Sequence, residues 1–400
     1  MNDSCIKAAL LYANYSPTLS YYDDWLDAFE QSDLFDIVSL DICRLATGSK
    51  LRKVLKNVDV VILLHSTNGD TLSYLYPLKS QLASRKIPLV SFVGNEVNLP
   101  GSPVLEKIDF LRDIRAEYIA TQLLEEAGVW LYRSCNNAKV ISVPHALNEK
   151  TFFPTVPLNQ RRIDIGVRTA KYNQYLGDNH RNRLIDYFSH RQDLKSDIDF
   201  NQRFKRDEWN RFLNLCKGTV ATEAGSYFLQ PDDKTMNEIR EWIRARDKRA
   251  GITIRSDSLL RRLGHMMPWS VRQGLKKIMA KGLVRHEAVA YDEVSFDEIY
   301  ARFYKDLKPS PVYTKAISSR HFDAIGTKTC QIMIRGRFND ILDEQHYIPV
   351  KSDLSDVDDA IEKFNDPQFR ENIVNNAYEH IMSGHTHRHR VQHLHRVLTA

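Results

Sequence analysis

The chain has 400 residues, of which 42% are hydrophobic and 27% charged, an ordinary balance for a globular protein with two to three domains. No apolar run approaches the roughly 20 residues that a membrane-spanning helix needs, and residues 1–5 lack the basic start of a signal peptide. The five cysteines are scattered without a C-x-x-C pair, which favours reduced thiols in a cytoplasmic protein over disulfides or a zinc site.

The net charge of +5 is concentrated in one part of the chain. Residues 234–285 contain 14 Lys and Arg against 4 Asp and Glu, about +10, so the remainder sums to about −5. Because exposed charge acts locally, this basic segment predicts an acidic ligand, acceptor or surface close to it.

The first 150 residues alternate between apolar runs and helical patterns. A helix is expected from Ser20, where Trp25 and Phe29 share one face. A longer helix is expected over residues 104–126, since apolar residues recur there at helical spacing. Apolar runs predict buried strands at 7–15, 58–64, 87–93 and 139–143, and the last three of these runs contain β-branched residues. Such runs separated by helices are typical of a parallel sheet covered on both faces.

Polar residues follow two of these predicted strands. His65 comes directly after the second strand, and Glu96 closely follows the third. In parallel α/β sheets ligands bind beyond the carboxyl ends of the strands, so both residues are candidates for an active site. His65 is equally well explained as a strand-end histidine that the backbone satisfies.

A second α/β series begins near residue 163. Strands are expected at 164–168, 219–222, 330–334 and 347–350, and helices at 182–189, 322–327, 354–364 and 367–382. The stretch of about 230–311 is mostly helical, basic and irregular, which indicates an insertion. Two series of similar size predict two doubly wound domains, residues 1–150 and 155–400, that face each other across a cleft.

Three motifs in this order resemble those of the group 1 glycosyltransferases. Residues 144–154 (PHALNEKTFFP) are similar to the P-x-G-x-D-x-x-x-F-x-P hinge that joins the two domains of that family. Residues 319–327 (SRHFDAIGT) are similar to its R-x-F-E-x-x-A-x-G donor motif. Residues 347–390 have the same order of strand, helices and closing residues as its C-terminal part. Within that family the chain looks most like the group that includes spore-maturation-type proteins.

This resemblance implies a GT-B fold, in which two Rossmann-like domains face a cleft and the second binds a nucleotide-diphosphate-sugar donor. Asp323 stands where the family usually has a Glu that accepts both ribose hydroxyls, although an acid near a helix N-terminus also favours the helix dipole. Gly326 could bring backbone close to phosphate or end a helix. The resemblance assigns the rest of the donor motif to the same site: Ser319, Arg320, Phe322 and Thr327.

Other charged residues take their expected roles from the same resemblance. Arg168 and Lys171 resemble the Arg and Lys that follow the first strand of the family's second domain and meet the diphosphate charge; surface cations at a loop would look the same. Many group 1 enzymes carry two glutamates eight residues apart, but Lys315 stands eight residues before Asp323. Glu223 is the candidate to replace the missing glutamate, or else an ordinary loop acid.

A metal site is not expected. No D-x-D sequence is present, and acids and cysteines are absent from the C-terminal stretch that holds six of the fourteen histidines: His380, His385, His387, His389, His393 and His395. We therefore expect no cofactor, with the nucleotide sugar as substrate.

The insertion contains a basic amphipathic pattern after Pro268. Val271 and Leu275 share an apolar face, whereas Arg272 and Lys276 lie largely off it. Such a helix could rest on the inner face of an anionic membrane, cover the cleft or pack on its own domain.

The resemblance implies a bacterial, retaining-type glycosyltransferase for cell-surface polysaccharide, with His65 and Glu96 on the acceptor side, and the cysteine usage favours a cytoplasmic one. The acceptor is expected to be a glycan or a lipid-linked glycan. A catalytically silent nucleotide-sugar-binding scaffold and a GT-B sugar-nucleotide epimerase remain as alternatives. The chain has no recognisable nucleic-acid-binding module, and no G-x-G-x-x-G follows the first strand, which disfavours a Rossmann dehydrogenase.

Overall fold

A computed structural model describes residues 5–15, 20–44, 47–200, 202, 204–246, 252–254, 284–286 and 294–400. Its strands are β1 Ile6–Tyr12, β2 Phe35–Asp41, β3 Val60–Leu63, β4 Leu89–Phe92, β5 Tyr118–Thr121, β6 Lys139–Ser142, β7 Ile163–Arg168, β8 Ser196–Asp199, β9 Cys216–Ala221, β10 Ala224–Gly225, β11 Ile252–Ile254, β12 Val284–His286, β13 Lys315–Ala316, β14 Cys330–Ile334 and β15 Ile348–Val350. Its α-helices are α1 Ser20–Glu30, α2 Thr47–Val54, α3 Lys79–Ala83, α4 Val104–Asp113, α5 Glu125–Leu131, α6 His180–Ser189, α7 Arg206–Leu213, α8 Lys234–Arg246, α9 Phe296–Ile299, α10 Ser319–Gly326, α11 Val357–Asn365, α12 Pro367–Gly384 and α13 His387–Thr399.

Six parallel strands form the first sheet, in the order β2-β1-β3-β4-β5-β6. Strands β3 and β4 are buried along their whole length, as continuous apolar runs require when helices cover both faces. One face packs against α4 and α5 and the other against α1. The carboxyl ends of these strands therefore share one edge of the sheet, as predicted.

The long helix expected over residues 104–126 is wrong. The chain instead forms α4, β5 and α5 in that region. Arg115 has a φ of 54°, a left-handed conformation that ends the helix. Tyr118 and Ile119, whose spacing fitted a helix, then enter the sheet between β4 and β6, where Ile119 is fully buried. Pairing on both sides outweighs the local helical pattern.

The second sheet has five parallel strands in the order β15-β14-β9-β7-β8. Its core is separate from that of the first sheet and gathers apolar residues from β7, β14, β15, α6 and α11. Two parallel sheets with helices around them confirm the predicted fold class.

The predicted insertion is only partly described by the structure. Helix α8 and the short helix α9, which continues as a π-helical turn over Tyr300–Tyr304, pack together through Ile239, Ile243 and Ile299. The short parallel pair β11 and β12 also belongs to it. The amphipathic pattern after Pro268 lies outside the described residues.

Helix α13 crosses back from the second domain to the first. Val391 and Leu394 join the apolar core that holds Trp25, Phe29 and Phe35. Before this helix starts, Thr386 forms a parallel bridge with Leu147, in the segment that links the domains. The last helix thus ties the second domain to the outer face of the first. Across the described part of the chain, no helix is long and apolar enough to cross a membrane.

Candidate functional site

A cavity of about 360 Å³ lies in the cleft where the carboxyl edges of the two sheets meet. The first domain contributes three residues that follow its strands: Asn95 after β4, Gln122 after β5 and His145 after β6. The second domain contributes the ends of β7 and β9, the β10–β13 pair and parts of three helices, α6, α7 and α10. Ligands of parallel α/β sheets bind at such an edge, so this cavity is the candidate site.

Four cationic side chains line the cavity, and none of its lining residues, all of which the structure describes, is an Asp or Glu. They are Arg168, Lys171, Arg181 and Arg320. Arg168 is paired with Asp197 behind the wall, but no carboxylate on the wall meets the other three charges, which make the cavity suitable for an anion. The sequence predicts Arg168, Lys171 and Arg320 as donor-binding residues, but it does not predict Arg181.

Arg168 has most of its hydrogen-bonding capacity engaged within the protein. Its Nη2 pairs with Asp197 Oδ1 at 2.7 Å, its Nη1 donates to the Asp197 carbonyl at 2.8 Å, and its guanidinium lies 4.3 Å from the Phe212 ring centroid. Its side chain is only 8% exposed. The structure therefore gives Arg168 a bracing role beside its place on the cavity wall.

Lys171, Arg181 and Arg320 present charge to the cavity in different ways. Lys171 is exposed, with its ammonium 5.7 Å from the Phe200 ring. Arg181 donates to Thr222 Oγ1 at 3.2 Å and lies over the Tyr172 ring. Arg320 is exposed and donates to the hydroxyl of Thr169. Lys171 and Arg320 are therefore the cations most accessible to a ligand.

The first turn of α10 also faces the cavity, through Ser318, Ser319 and Arg320. A helix N-terminus carries partial positive charge and unpaired backbone N–H groups, which favour bound anions. Phe322, on the next turn, is fully buried in the core of the second domain and holds α10 in position. Ser319 and Arg320 thus line the cavity, whereas Phe322 acts through packing.

Asp323 lies beneath the cavity wall rather than on it. Its Oδ2 accepts a hydrogen bond from Trp209 Nε1 at 3.0 Å, and Trp209 itself lines the cavity. Burial raises the pKa of Asp323 well above its usual value, and the nearby carboxyl of Asp24 in the first domain raises it further. A carboxyl with a raised pKa beside a nucleotide-sized cavity can accept or donate hydrogen bonds.

Gly326 and Thr327 are not brought to the cavity. A Cβ added to Gly326 would lie 2.6 Å from the carbonyl oxygen of Phe152 and 2.5 Å from Leu147 Cδ1, so the glycine lets α10 approach the interdomain segment. Thr327 is fully buried and its carbonyl accepts from Arg161 at 2.6 Å. Both residues shape the domain behind the cavity.

Glu223 is buried against two loops of the second domain and does not line the cavity. Its carboxylate accepts hydrogen bonds from the Tyr313 hydroxyl and, at 2.7 Å, from the Phe338 backbone N–H. Burial raises its pKa. Lys315 pairs with the buried Asp178, so the position at which the family pattern would have a glutamate holds an internal ion pair.

His65 is fully buried one layer behind the cavity wall. Its ring stacks on that of His145, with the centroids 5.2 Å apart, and neither of its nitrogens has a hydrogen-bond partner in the described structure. His145 does line the cavity and accepts from Trp25 Nε1 at 3.2 Å through Nδ1. Burial and Arg390 lower the pKa of His145 to about 4, so its imidazole is neutral near pH 7.

Glu96 is also enclosed. Its carboxylate accepts from the Thr121 hydroxyl at 2.6 Å, the Tyr132 hydroxyl at 2.7 Å and the Gln122 backbone N–H at 2.8 Å. These bonds fix the loop after β5, from which Gln122 reaches the cavity. The geometry therefore shows Glu96 supporting the site from behind.

The residues that sequence reasoning missed come from elements that share no local motif with the donor segment. Trp209 lies on α7, Arg181 on α6, and Asn95 and Gln122 follow strands of the other domain. His145 stood within the hinge motif, which was the one available signal. Within the described residues, no group of three His, Cys, Asp or Glu is placed to hold a metal ion.

Comparisons with known proteins found a family match in the C-terminal part and similar solved structures over the chain. A family described as glycosyl transferase-like matches residues 278–396. Among solved structures, Anabaena Alr3699/HepE in complex with UDP and glucose superposes with a TM-score of 0.50 and 9% identity, over 99% of this chain and 100% of that one. Sucrose-phosphate synthase from Thermosynechococcus elongatus has a TM-score of 0.47 and 11% identity, over 98% and 99%. No match to the sequence was found among curated proteins.

The likeness to HepE bears on the fold, since only 9% of aligned residues are identical. Two Rossmann-like sheets that face a common cleft are the GT-B arrangement, as the sequence predicted. The chain therefore has the GT-B fold, and its C-terminal part matches a glycosyl transferase-like family.

Proposed function

We propose that this protein transfers a glycosyl group from a nucleotide-diphosphate-sugar donor to an acceptor bound in the same cleft. The observation that carries the proposal is the cavity with four cationic side chains and no carboxylate among its lining residues. A nucleoside diphosphate is an anion that gains charge as the bond to the sugar breaks, so fixed positive charge stabilises its departure.

The diphosphate is assigned to Lys171, Arg320 and the first turn of α10. Both side chains are exposed on the cavity wall, and the helix N-terminus adds backbone N–H groups. The ribose is assigned to Asp323, which lies beneath the cavity wall beside Trp209 and is 5% exposed, in keeping with the resemblance of residues 319–327 to a donor motif. That resemblance also supports a retaining, hexosyl transfer, for which NMR of the product's anomeric configuration is the test.

The acceptor is assigned to the first-domain side of the cleft, where Asn95, Gln122 and His145 reach the cavity. Because Nδ1 of the neutral His145 imidazole accepts from Trp25, its Nε2–H can donate a hydrogen bond to a sugar hydroxyl. A glycan or lipid-linked glycan is the proposed acceptor class, since the basic segment 234–285 would attract an anionic surface. A cytoplasmic role in cell-surface polysaccharide synthesis would use such an acceptor.

Calorimetry with UDP and uridine tests the proposed binding, UDP being the nucleotide that HepE holds. Wild type should bind UDP more tightly than uridine, and Lys171→Ala should weaken UDP binding about 3- to 10-fold while leaving uridine unchanged, because only the diphosphate meets the ammonium. Lys351→Ala, an exposed lysine away from the cavity, is the matched control. The proposal fails if no nucleoside diphosphate among UDP, GDP, ADP and CDP binds.

Product analysis separates the alternatives. Incubation of UDP-glucose with mixed oligosaccharide acceptors should release UDP and yield a glycosylated product. Conversion of the sugar nucleotide to an epimer without any acceptor would instead identify an epimerase. Binding without turnover in every acceptor mixture would favour the scaffold.

A further inference from the structure

Trp209 connects the cavity to the buried Asp323. It lies on α7 and is partly exposed to the cavity. Its indole Nε1 donates to Asp323 Oδ2 at 3.0 Å. An indole N–H can only donate, so this bond requires an oxygen acceptor and fixes one carboxyl oxygen of Asp323.

The orientation of the Trp209 ring is set by a stack of side chains behind it. The ring lies on Phe212 with centroids 5.8 Å apart and planes 22° apart. The Arg168 guanidinium lies 4.3 Å from the Phe212 ring centroid and is itself held by Asp197 at 2.7 Å. Each layer restricts the next, so little rotamer freedom remains to be lost when a ligand packs against Trp209.

The surroundings of Asp323 disfavour the charged form of its carboxyl. A hydrogen-bond donor such as the Trp209 indole N–H is therefore needed to keep it charged and in one orientation. Asp323 is 5% exposed, and Asp24 of the first domain lies close enough to repel its charge. The donor bond from Trp209 acts in the opposite direction and favours the charged form. Loss of that bond would leave the carboxyl free to rotate or to take up a proton.

We propose that Trp209 is the positioning residue of the nucleotide site: its indole N–H aims the Asp323 carboxyl at the ribose hydroxyls, and its ring carries the nucleoside. This inference rests on the proposed function. Trp209 then determines the selectivity of the site for the ribose of the nucleotide, and not only its affinity for the diphosphate.

The test compares UDP with 2′,3′-dideoxy-UDP by calorimetry. Wild type should prefer UDP, because only UDP offers ribose hydroxyls to Asp323. Trp209→Phe keeps an aromatic ring and removes the N–H; it should weaken UDP binding by up to roughly 10- to 100-fold, the range for one buried hydrogen bond to a carboxylate. Binding of the dideoxy analogue should change much less, so the preference for UDP should collapse.

A double-mutant cycle and a matched control complete the experiment. In an Asp323→Ala background, which removes the acceptor of the indole N–H, Trp209→Phe should cause little further loss of UDP affinity, since the two residues act as a unit. Trp130→Phe, on α5 and away from the cavity, should leave both affinities unchanged. Circular dichroism confirms that each variant is folded.

The outcomes separate this inference from the proposed function. If wild type binds no nucleoside diphosphate, the proposed function fails and the inference with it. If wild type binds UDP but does not prefer it over the dideoxy analogue, or if Trp209→Phe keeps the wild-type preference, the inference is overturned and the proposed function stands.

Discussion

Asn98 and Asp233 join the first domain to the insertion of the second: Asn98 Nδ2 donates to Asp233 Oδ1 at 2.6 Å. Asn98 also exchanges two hydrogen bonds with the backbone of Gln230, at 2.7 and 2.9 Å. The other carboxylate oxygen of Asp233 accepts from the Leu105 backbone N–H at 2.8 Å, at the start of α4. Hydrogen bonds between buried polar groups therefore hold the beginning of the insertion against the first domain.

Substitution of Asp233 should weaken these hydrogen bonds between the insertion and the first domain. Asp233→Asn turns one of two acceptor oxygens into a donor and leaves Asn98 or Leu105 facing an N–H, so we expect a loss of about 1–3 kcal/mol in the free energy of unfolding. Asparagine tolerates the left-handed backbone at this position, where φ is 53°. Urea titration measures the loss, and Asp306→Asn, an exposed acid in the insertion, is the control. Equal stabilities of the two variants would contradict a stabilising role for the Asp233 hydrogen bonds.

Asp24 should make stability depend on pH in the acid range. Burial raises its pKa from 3.8 to about 6, despite hydrogen bonds from Asn148 and Arg206. The folded state therefore holds the proton more tightly than the unfolded state. This contribution is fully present below about pH 4 and is lost as the pH rises through 6, by about 3 kcal/mol in total.

Asp24→Asn should remove that pH dependence. Urea titrations at intervals between pH 3.5 and 7 should show the variant gaining stability relative to wild type as the pH rises. Asp36→Asn, an exposed acid on β2, should run parallel to wild type. A constant difference between wild type and Asp24→Asn across this range would show that burial does not perturb the carboxyl.

Glu96→Gln tests whether this residue supports the loop after β5. All three groups donate to the carboxylate, so the amide nitrogen of Gln would face either the two hydroxyls, which can also accept, or the Gln122 backbone N–H, and the charge-assisted bonds would be lost in both cases. We expect a loss of about 1.5–3 kcal/mol in the free energy of unfolding, with UDP affinity unchanged within twofold. Glu125→Gln, exposed on α5, is the control. A loss of UDP affinity or turnover without a loss of stability would indicate that Glu96 acts directly on a substrate.

Gly326→Ala tests the close approach of α10 to the interdomain segment. The added methyl would meet the Phe152 carbonyl oxygen at 2.6 Å, and backbone cannot move aside as a side chain can. A loss of about 1–3 kcal/mol is expected from such overpacking. Gly384→Ala is the control, because nothing lies within 4 Å of the added atom there. Thermal unfolding compares the two, and a harmless Gly326→Ala would contradict the packing role.

The basic segment gives a prediction that rests on sequence alone. Replacement of Arg272, Lys276 and Lys277 by Gln should weaken binding to anionic liposomes, since each cation near such a surface contributes about 1 kcal/mol. Added salt should weaken wild-type binding in the same way, and UDP affinity should not change. Cosedimentation with vesicles of mixed neutral and anionic lipid measures both. A wild type that ignores these vesicles at low salt would end the membrane hypothesis.

The sequence predicted the central strands β3 and β14 but missed the edge strands β2 and β8, and it also missed the interior strand β5, whose residues have helical spacing. Strands β3 and β14 are continuous apolar runs because neighbours and helices enclose them. Among the residues that the structure describes, strand β2 pairs only with β1 and β8 only with β7, so their partly exposed residues show no such run. A local pattern records the burial of a strand, not its hydrogen bonding.

The site divides in the same way. Arg168, Lys171, Ser319 and Arg320 were found because a short motif or a strand end places them on the cavity wall. Trp209 reaches that wall from a helix whose local sequence carries no donor-site signal. Gly326 and Glu223 looked functional by position, but only the packing of neighbouring loops shows that they turn away from the cavity. Membership of a motif does not fix the direction of a side chain.

The return of α13 also sets an order of events during synthesis. The apolar surface around Trp25 and Phe29 is covered by Val391 and Leu394, which the ribosome makes only after the whole second domain. A nascent first domain must therefore remain with this face uncovered, and exposed to aggregation, until the far end of the chain emerges. The two domains are translated one after the other but are completed together.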